Sequence, residues 1–153
     1  DHKKAIEFGK KAVELNPNDP RILWAYGTAL ALSGAGKESL ENLLKSYSLS
    51  PKIGVEGSID NIISSIIVGY YISDDCKNVI DWFDELEKKD FRSYVLCISS
   101  MITVGMEIHF LESFQTQYSQ IDYRSEIELF QFKDSKITTL LIDLVSGYLP
   151  GRF

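Results

Sequence analysis

The sequence predicts an all-α fold built from antiparallel helix pairs. Apolar residues recur at helical spacing along most of the chain. Asp, Pro and Gly residues stand where the periodic stretches begin and end, as they do at helix termini. Pro17 and Pro51, each of which follows a helical stretch, lie 34 residues apart. Together these observations predict about eight helices in antiparallel pairs.

The first three helices have clear ends in the sequence. Lys3–Leu15 has apolar residues beside Lys and Glu faces, which predicts a helix. Asp19 and Pro20 start the next helix, because Asp accepts from free first-turn N–H groups and Pro suits the first helical position. The run from residue 33 to 36 (Ser-Gly-Ala-Gly) breaks that helix, and Pro51 ends its partner.

The later helices have a weaker pattern. Residues 52–57 contain two glycines and read as a longer connection. The predicted helices beyond it are Ile59–Ile72 with Val79–Leu86, Phe91–Val104 with Glu107–Tyr118 (hinged at Gly105), and a last helix capped by Asp134 and ended by Gly147 with Pro150-Gly151. The segment Tyr123–Phe132 fits a helix or an extended chain, and the sequence leaves both open.

Two sets of landmarks one repeat apart carry a resemblance to a known family. The first set is Ala5-Ile6, Ala12 and Asn16–Pro20; the second is Leu23-Trp24, Tyr26-Gly27, Leu30, Gly34, Leu40, Leu43 and Ser50-Pro51. This pattern resembles the tetratricopeptide repeat, whose period is 34 residues. The resemblance implies one domain, 1–153, of stacked helix hairpins with a right-handed twist. Residues 1–17 would be the second helix of a truncated repeat, 18–53 a clear repeat, 54–93 and 94–122 degenerate hairpins, and 123–153 a capping segment.

The C-terminal segment carries a second resemblance. Tyr123–Phe153 contains Phe132-Lys133-Asp134, Leu140-Leu141, Leu144 and Tyr148–Arg152. It is similar to the closing segment of bacterial signalling proteins in which a tetratricopeptide array follows a winged-helix transcription activator or a class III adenylate cyclase. The resemblance implies a regulatory array whose output domain lies upstream in a longer protein.

Composition and charge narrow the classes of function. The chain has 153 residues, 44% of them apolar, and a net charge of −6 that is concentrated in the C-terminal half. An acidic surface repels phosphates, so we expect no direct contact with nucleic acid. The most apolar windows, Ile62–Ile72 and Tyr94–Met106, are shorter than the roughly 20 residues of a membrane helix. With no signal-peptide pattern at the start, we expect a soluble, cytoplasmic protein.

Motifs of catalysis and of metal binding are missing from the sequence. It contains no Gly-rich phosphate loop, no nucleophile elbow and no paired Cys motif. Cys76 and Cys97 are far apart and read as reduced thiols on apolar helices. His109 has only scattered carboxylates near it, which is a weak ligand set for a metal. We therefore expect no enzyme activity, no cofactor and no metal site.

The tetratricopeptide resemblance also nominates a binding surface. In that family the first helix of each hairpin lines a concave surface that carries ligands. Eight residues fall on it in the extended register: Arg21, Trp24, Thr28, Asn61, Ser64, Tyr71, Arg92 and Ser99. The mixed polar and aromatic character of this set suits an extended peptide or a partner helix. Trp24 has a second interpretation as a core residue, since a tryptophan at helical spacing is often buried.

These expectations favour a protein-interaction or regulatory scaffold, as part of a bacterial transcription activator. Three alternatives stay open. The array could belong to a larger enzyme, such as an adenylate cyclase or a glycosyltransferase. It could be a homo-oligomerisation element that docks through Lys3–Leu15 and the irregular C-terminal hairpins. It could also form a small-molecule pocket near Tyr70 and Tyr71.

Overall fold

A computed structural model describes residues 1–50 and 58–149 of the chain. Within these ranges it contains nine helices: α1 (His2–Leu15), α2 (Pro20–Leu32), α3 (Gly36–Leu49), α4 (Ser58–Ile72), α5 (Cys76–Asp84), α6 (Phe91–Val104), α7 (Leu111–Gln117), α8 (Tyr123–Glu128) and α9 (Ser135–Tyr148). The all-α prediction is confirmed. No helix of the described residues is long and apolar enough to cross a membrane. The predicted connection at 52–57, Pro51 and Pro150-Gly151 lie outside the described residues.

Aspartate side chains fix most helix starts. Asp19 Oδ1 accepts from the backbone N–H of Arg21 at 2.8 Å, which confirms the predicted start of α2. Asp134 caps α9 in the same way through Lys136 N–H. Asp residues also cap α1, α5, α6 and α8. Each cap satisfies backbone donors that have no partner inside the helix.

Several predicted boundaries need correction. The nine helices of the described ranges agree with the predicted number of about eight, and the segment that the sequence left open begins with the short helix α8 (Tyr123–Glu128). The helix predicted over Glu107–Tyr118 begins only at Leu111. Gly147 lies inside α9, which continues to Tyr148. A glycine lowers helix propensity by about 1 kcal/mol relative to alanine, and this penalty alone does not stop a helix whose other face is buried.

The helices pack in two layers. Helices α2, α4 and α6 lie side by side and form what we term the inner layer, while α1, α3 and α5 pack beside them and form the outer layer. The main apolar core joins buried residues of both layers to the C-terminal segment, from Ala31 through Phe83 and Leu96 to Val145 and Leu149. A smaller cluster, Leu43, Ile62 and Ile66, lies between α3 and α4. Every helix from α2 to α6 therefore contacts apolar neighbours on more than one side.

Glycines allow α3 to approach both of its inner-layer neighbours. A Cβ atom at Gly27 of α2 would lie 2.7 Å from Leu43 Cγ, and one at Gly69 of α4 would lie 2.9 Å from Leu40 Cδ2. Real carbon atoms do not approach so closely without a shift of the backbone or of the leucine. The two glycines therefore set how closely the layers pack at α3.

Gly27→Ala should lower the free energy of unfolding by about 1–3 kcal/mol, because the new methyl group overlaps Leu43 in a packed core. Gly147→Ala is the matched control: a Cβ there meets nothing within 4 Å. It should raise the free energy of unfolding by about 0.5–1 kcal/mol through helix propensity. Urea unfolding followed by circular dichroism measures both changes. Equal effects of the two variants would contradict the close approach of α2 and α3.

Candidate binding surface on the inner layer

All eight residues nominated from the sequence lie on the inner layer. Arg21, Trp24 and Thr28 belong to α2, Asn61, Ser64 and Tyr71 to α4, and Arg92 and Ser99 to α6. The structure brings them together because α4 contacts both α2 and α6. Their exposure differs widely, however. Arg21 and Asn61 are exposed, whereas Ser64 and Ser99 are buried.

A polar contact joins α2 to α4. The indole Nε1 of Trp24 donates to Ser65 Oγ at 3.0 Å, and Thr28 Oγ1 lies 3.0 Å from the same hydroxyl oxygen. Ser65 Oγ in turn donates to the Asn61 carbonyl one turn earlier. The sequence analysis missed Ser65, and a serine at helical spacing gives no signal that a tryptophan will bind it. Trp24 is half-buried and packs against the Leu43–Ile62–Ile66 cluster, so it belongs partly to the core.

Polar contacts join α4 to α6 at two places. Ser64 Oγ donates to Asp90 Oδ2 at 2.8 Å, and it accepts from Arg92 Nη2 at 3.3 Å. Further along, the Tyr71 hydroxyl lies 3.0 Å from Ser99 Oγ. Ser64 and Ser99 therefore hold the helices together and do not line an open groove. Burial also raises the pKa of the Tyr71 hydroxyl, although the bond to Ser99 opposes this shift.

The Arg92 guanidinium uses few of its N–H donors in hydrogen bonds. Burial lowers the pKa of its guanidinium, and the nearby charge of Asp90 opposes that shift. Among the described residues the guanidinium makes one side-chain hydrogen bond, to Ser64, and no ion pair. Asp90 uses its carboxylate to bind Ser64 and to cap α6 through Ser93 N–H. Arg92 therefore keeps several N–H donors without a described acceptor.

The surface is open at one end and closed at the other. Residues seven apart on a helix share a face. On α4, Asn61 is exposed whereas Val68 is only 2% exposed. On α2, Trp24 is half-buried whereas Ala31 is fully buried. The inner layer is thus accessible near the start of its helices and covered towards their ends.

The C-terminal segment Phe130–Leu149 covers the closed end. Phe130 and Phe132 are buried on either side of Gln131, whose φ of 59° turns the chain between them. Lys133 N–H then donates to the Leu32 carbonyl at the end of α2, at 2.8 Å. Helix α9 packs on α6, and its buried residues are Leu141, Ile142 and Val145.

This cover is a permanent part of the fold. Full burial of one Leu, Ile or Val side chain contributes about 1.5–3 kcal/mol. Leu141, Ile142, Val145 and Leu149 are all buried, so their release would cost a large share of the roughly 5–15 kcal/mol that stabilises a domain. Of the inner layer, only the open end is therefore accessible. We call this open end, with Arg21, Trp24, Asn61 and Arg92, the inner groove.

The described residues do not form a metal site, and their two cysteine thiols are unpaired. These residues contain no group of three His, Cys, Asp or Glu side chains that could hold a metal ion. His109 is exposed. Cys76 is half-buried and Cys97 is buried, and both are unpaired thiols. Burial raises the pKa of the Cys97 thiol to about 12, which disfavours the reactive thiolate.

Comparisons with protein-family models, with curated proteins and with solved structures returned no significant match. The tetratricopeptide resemblance therefore stays a prediction from the sequence. Functional inference for this chain depends on the geometry of its own side chains.

Trp24→Phe should lower the free energy of unfolding by about 0.5–1.5 kcal/mol, because it keeps an aromatic ring but removes the donor to Ser65. Trp82→Phe is the control, since the Trp82 indole N–H has no hydrogen-bond acceptor among the described residues. Guanidinium unfolding of both variants gives the comparison. A larger loss for Trp82→Phe would contradict the role of the Trp24–Ser65 bond.

Thiol labelling with a disulfide reagent at pH 8 should modify one cysteine in the native protein and two after unfolding. Cys76 is partly accessible, whereas Cys97 is buried and its pKa of about 12 leaves almost no thiolate at this pH. Cys76→Ser should make the native protein unreactive over the same period. Rapid labelling of that variant would show that α6 opens readily.

Proposed function

We propose that this chain is a protein-interaction and regulatory scaffold that binds a segment of another protein in the inner groove. It has no catalytic role of its own in this proposal. The observation that carries the proposal is Arg92, a largely desolvated cation that has donors to spare. These donors lie on the same helix layer as exposed Asn61 and half-buried Trp24.

The chemistry of the inner groove favours a peptide as its ligand. The Arg92 guanidinium can donate to a backbone carbonyl or a carboxylate of a bound segment. The Asn61 side-chain amide both donates and accepts, which matches the N–H and C=O groups of an extended chain. Trp24 adds a partly accessible aromatic surface, and tryptophan and arginine are frequent at protein interfaces. A partner segment would thus meet polar and apolar groups together.

The parent protein in this proposal is a bacterial, cytoplasmic transcription activator with the scaffold in its C-terminal region. Support comes from the similarity of Tyr123–Phe153 to the closing segments of such regulators. Occupancy of the inner groove would change the assembly or output of the rest of that protein. A parent enzyme, such as an adenylate cyclase, would use the same groove, with its catalytic domain elsewhere.

A second candidate function is homo-oligomerisation through α1. Ala5, Phe8, Ala12 and Leu15 form a stripe on one face of this helix, where Phe8 is 68% and Leu15 is 88% exposed. No residue of α1 is buried, although the helix packs on α2. An apolar face of this kind is typical of an association surface.

The peptide proposal is tested by selecting binders from a displayed library of random peptides. Arg92→Met, which keeps an apolar stem and removes the donors, should weaken selected peptides by about tenfold or more, since bonds to a charged group contribute about 1.5–3 kcal/mol. Asn61→Ala should also weaken binding. Calorimetry gives the affinity of each variant. The melting temperature of each variant is measured as well, so that a misfolded variant is recognised.

Arg124→Met is the matched control for that experiment. Arg124 is an exposed arginine of α8, outside the inner layer. Its replacement removes the same charge but should leave the affinity within about twofold, because exposed charges act weakly through solvent. The proposal fails if the selected peptides bind Arg92→Met as tightly as the parent.

Sedimentation velocity separates the two candidate functions. A peptide receptor should stay monomeric across a concentration series. An oligomer formed through α1 should gain mass with concentration and lose that behaviour in Phe8→Ser with Leu15→Ser. Association that is unaffected by this double change would exclude the α1 surface.

A further inference from the structure

The outer layer carries a small aromatic cavity that is separate from the inner groove. Its volume is 250 Å³, and Tyr47 of α3 and Asp81, Trp82 and Glu85 of the α5 region line it. The rings of Tyr47 and Trp82 meet edge to face, with centroids 5.1 Å apart and an interplanar angle of 88°. A cavity below the roughly 300–1,000 Å³ of drug-sized sites suits a single side chain.

The polar groups of this cavity lack partners among the described residues. The Tyr47 hydroxyl and the Trp82 indole N–H make no hydrogen bond there, although both side chains are half-buried. Asp81 and Glu85 are exposed, and neither forms an ion pair with a described residue. The cavity therefore combines two aromatic rings, one free N–H donor and two free carboxylates.

Neighbouring lysines do not neutralise these carboxylates. Lys77 lies one turn before Asp81 but forms no ion pair with it in the described structure. Lys45 Nζ instead donates to the Pro17 carbonyl at 2.7 Å. Lys89 Nζ donates to the Leu86 carbonyl and lies 5.1 Å from the centre of the Phe83 ring. Lys45 and Lys89 therefore bind other groups.

Asp81 and Glu85 repel one another, because residues four apart on a helical path lie side by side. A cation placed between them would relieve that repulsion. The same cation would lie beside the Tyr47 and Trp82 rings, which attract positive charge through their quadrupoles. The free indole N–H of Trp82 suits a carbonyl oxygen, which a peptide supplies and a simple cation does not.

We propose that this outer-layer cavity binds a lysine or arginine side chain of a partner protein. The ammonium or guanidinium group lies between Asp81 and Glu85 and against the aromatic rings. The indole N–H of Trp82 donates to a backbone carbonyl beside the bound side chain. The net charge of −6 attracts a basic partner segment at longer range. This site goes beyond the inner groove and does not depend on it.

The probe is an acetylated, amidated trilysine peptide, followed by the indole N–H signals of the ¹⁵N-labelled chain. The chain contains two tryptophans, so the Trp24 signal serves as an internal reference. Trp24 Nε1 is already bound to Ser65 and lies on α2. The Trp82 signal should shift and saturate while the Trp24 signal stays in place. No shift of Trp82, or a shift of Trp24 alone, would overturn the proposal.

Two double variants distinguish binding of trilysine in the cavity from its general electrostatic attraction to the acidic chain. Asp81→Asn with Glu85→Gln should weaken trilysine by about tenfold, because both close charges are lost while side-chain size is kept. Glu112→Gln with Glu128→Gln removes two exposed charges from α7 and α8. That control should change the affinity by no more than about twofold. Equal weakening in the two double variants would overturn the proposed site.

Spermidine tests whether the site is built for a peptide. It carries the same charge of about +3 as the blocked trilysine but offers no carbonyl to the Trp82 indole. It should bind several-fold more weakly than trilysine and should shift the Trp82 signal less. Binding as tight as that of trilysine would assign the cavity to free polyamines and overturn the peptide assignment.

Discussion

The close contact of α3 with α2 and α4 is the constraint on which the remaining packing depends. Gly27 leaves space for Leu43, and Gly69 leaves space for Leu40, so α3 packs close to both inner-layer helices. That approach brings α2 and α4 into contact with each other, and it places Trp24 within hydrogen-bond distance of Ser65. A wider spacing would break this bond and open the layer. The Trp24–Ser65 bond thus depends on the absence of side-chain methyl groups at Gly27 and Gly69.

The inner and outer layers differ in chemistry because their charged side chains have different partners. On the inner layer, Asp90 is committed to Ser64 and to the start of α6, which leaves the Arg92 donors available. On the outer layer, Asp81 and Glu85 form no ion pair with a described residue. One surface therefore offers donors and the other offers acceptors. Under the two proposals, the two surfaces would therefore bind segments of different chemistry.

Local signals in the sequence predicted much of the fold. Asp19 and Asp134 mark helix starts because capping involves only residues two or three positions away. The placement of Arg92 on the inner layer followed from helical periodicity and the repeat resemblance. The burial of Leu141, Ile142 and Val145 against the core could not be predicted, since it depends on the packing of α9 on α6, which are far apart in the sequence. The role of Ser65 was equally invisible, because nothing local to a serine specifies a tryptophan on another helix.

The bond from Lys133 N–H to the Leu32 carbonyl joins two distant parts of the chain. During synthesis, α2 and α6 leave the ribosome before α9 does, and domains generally fold as units. The apolar surface of α6 on which α9 packs is then bare until Phe130–Leu149 has been made. A ribosome that stalls between α6 and α9 would therefore expose this apolar surface to chaperones and proteases. The core of the described residues is thus complete only after α9 has been translated.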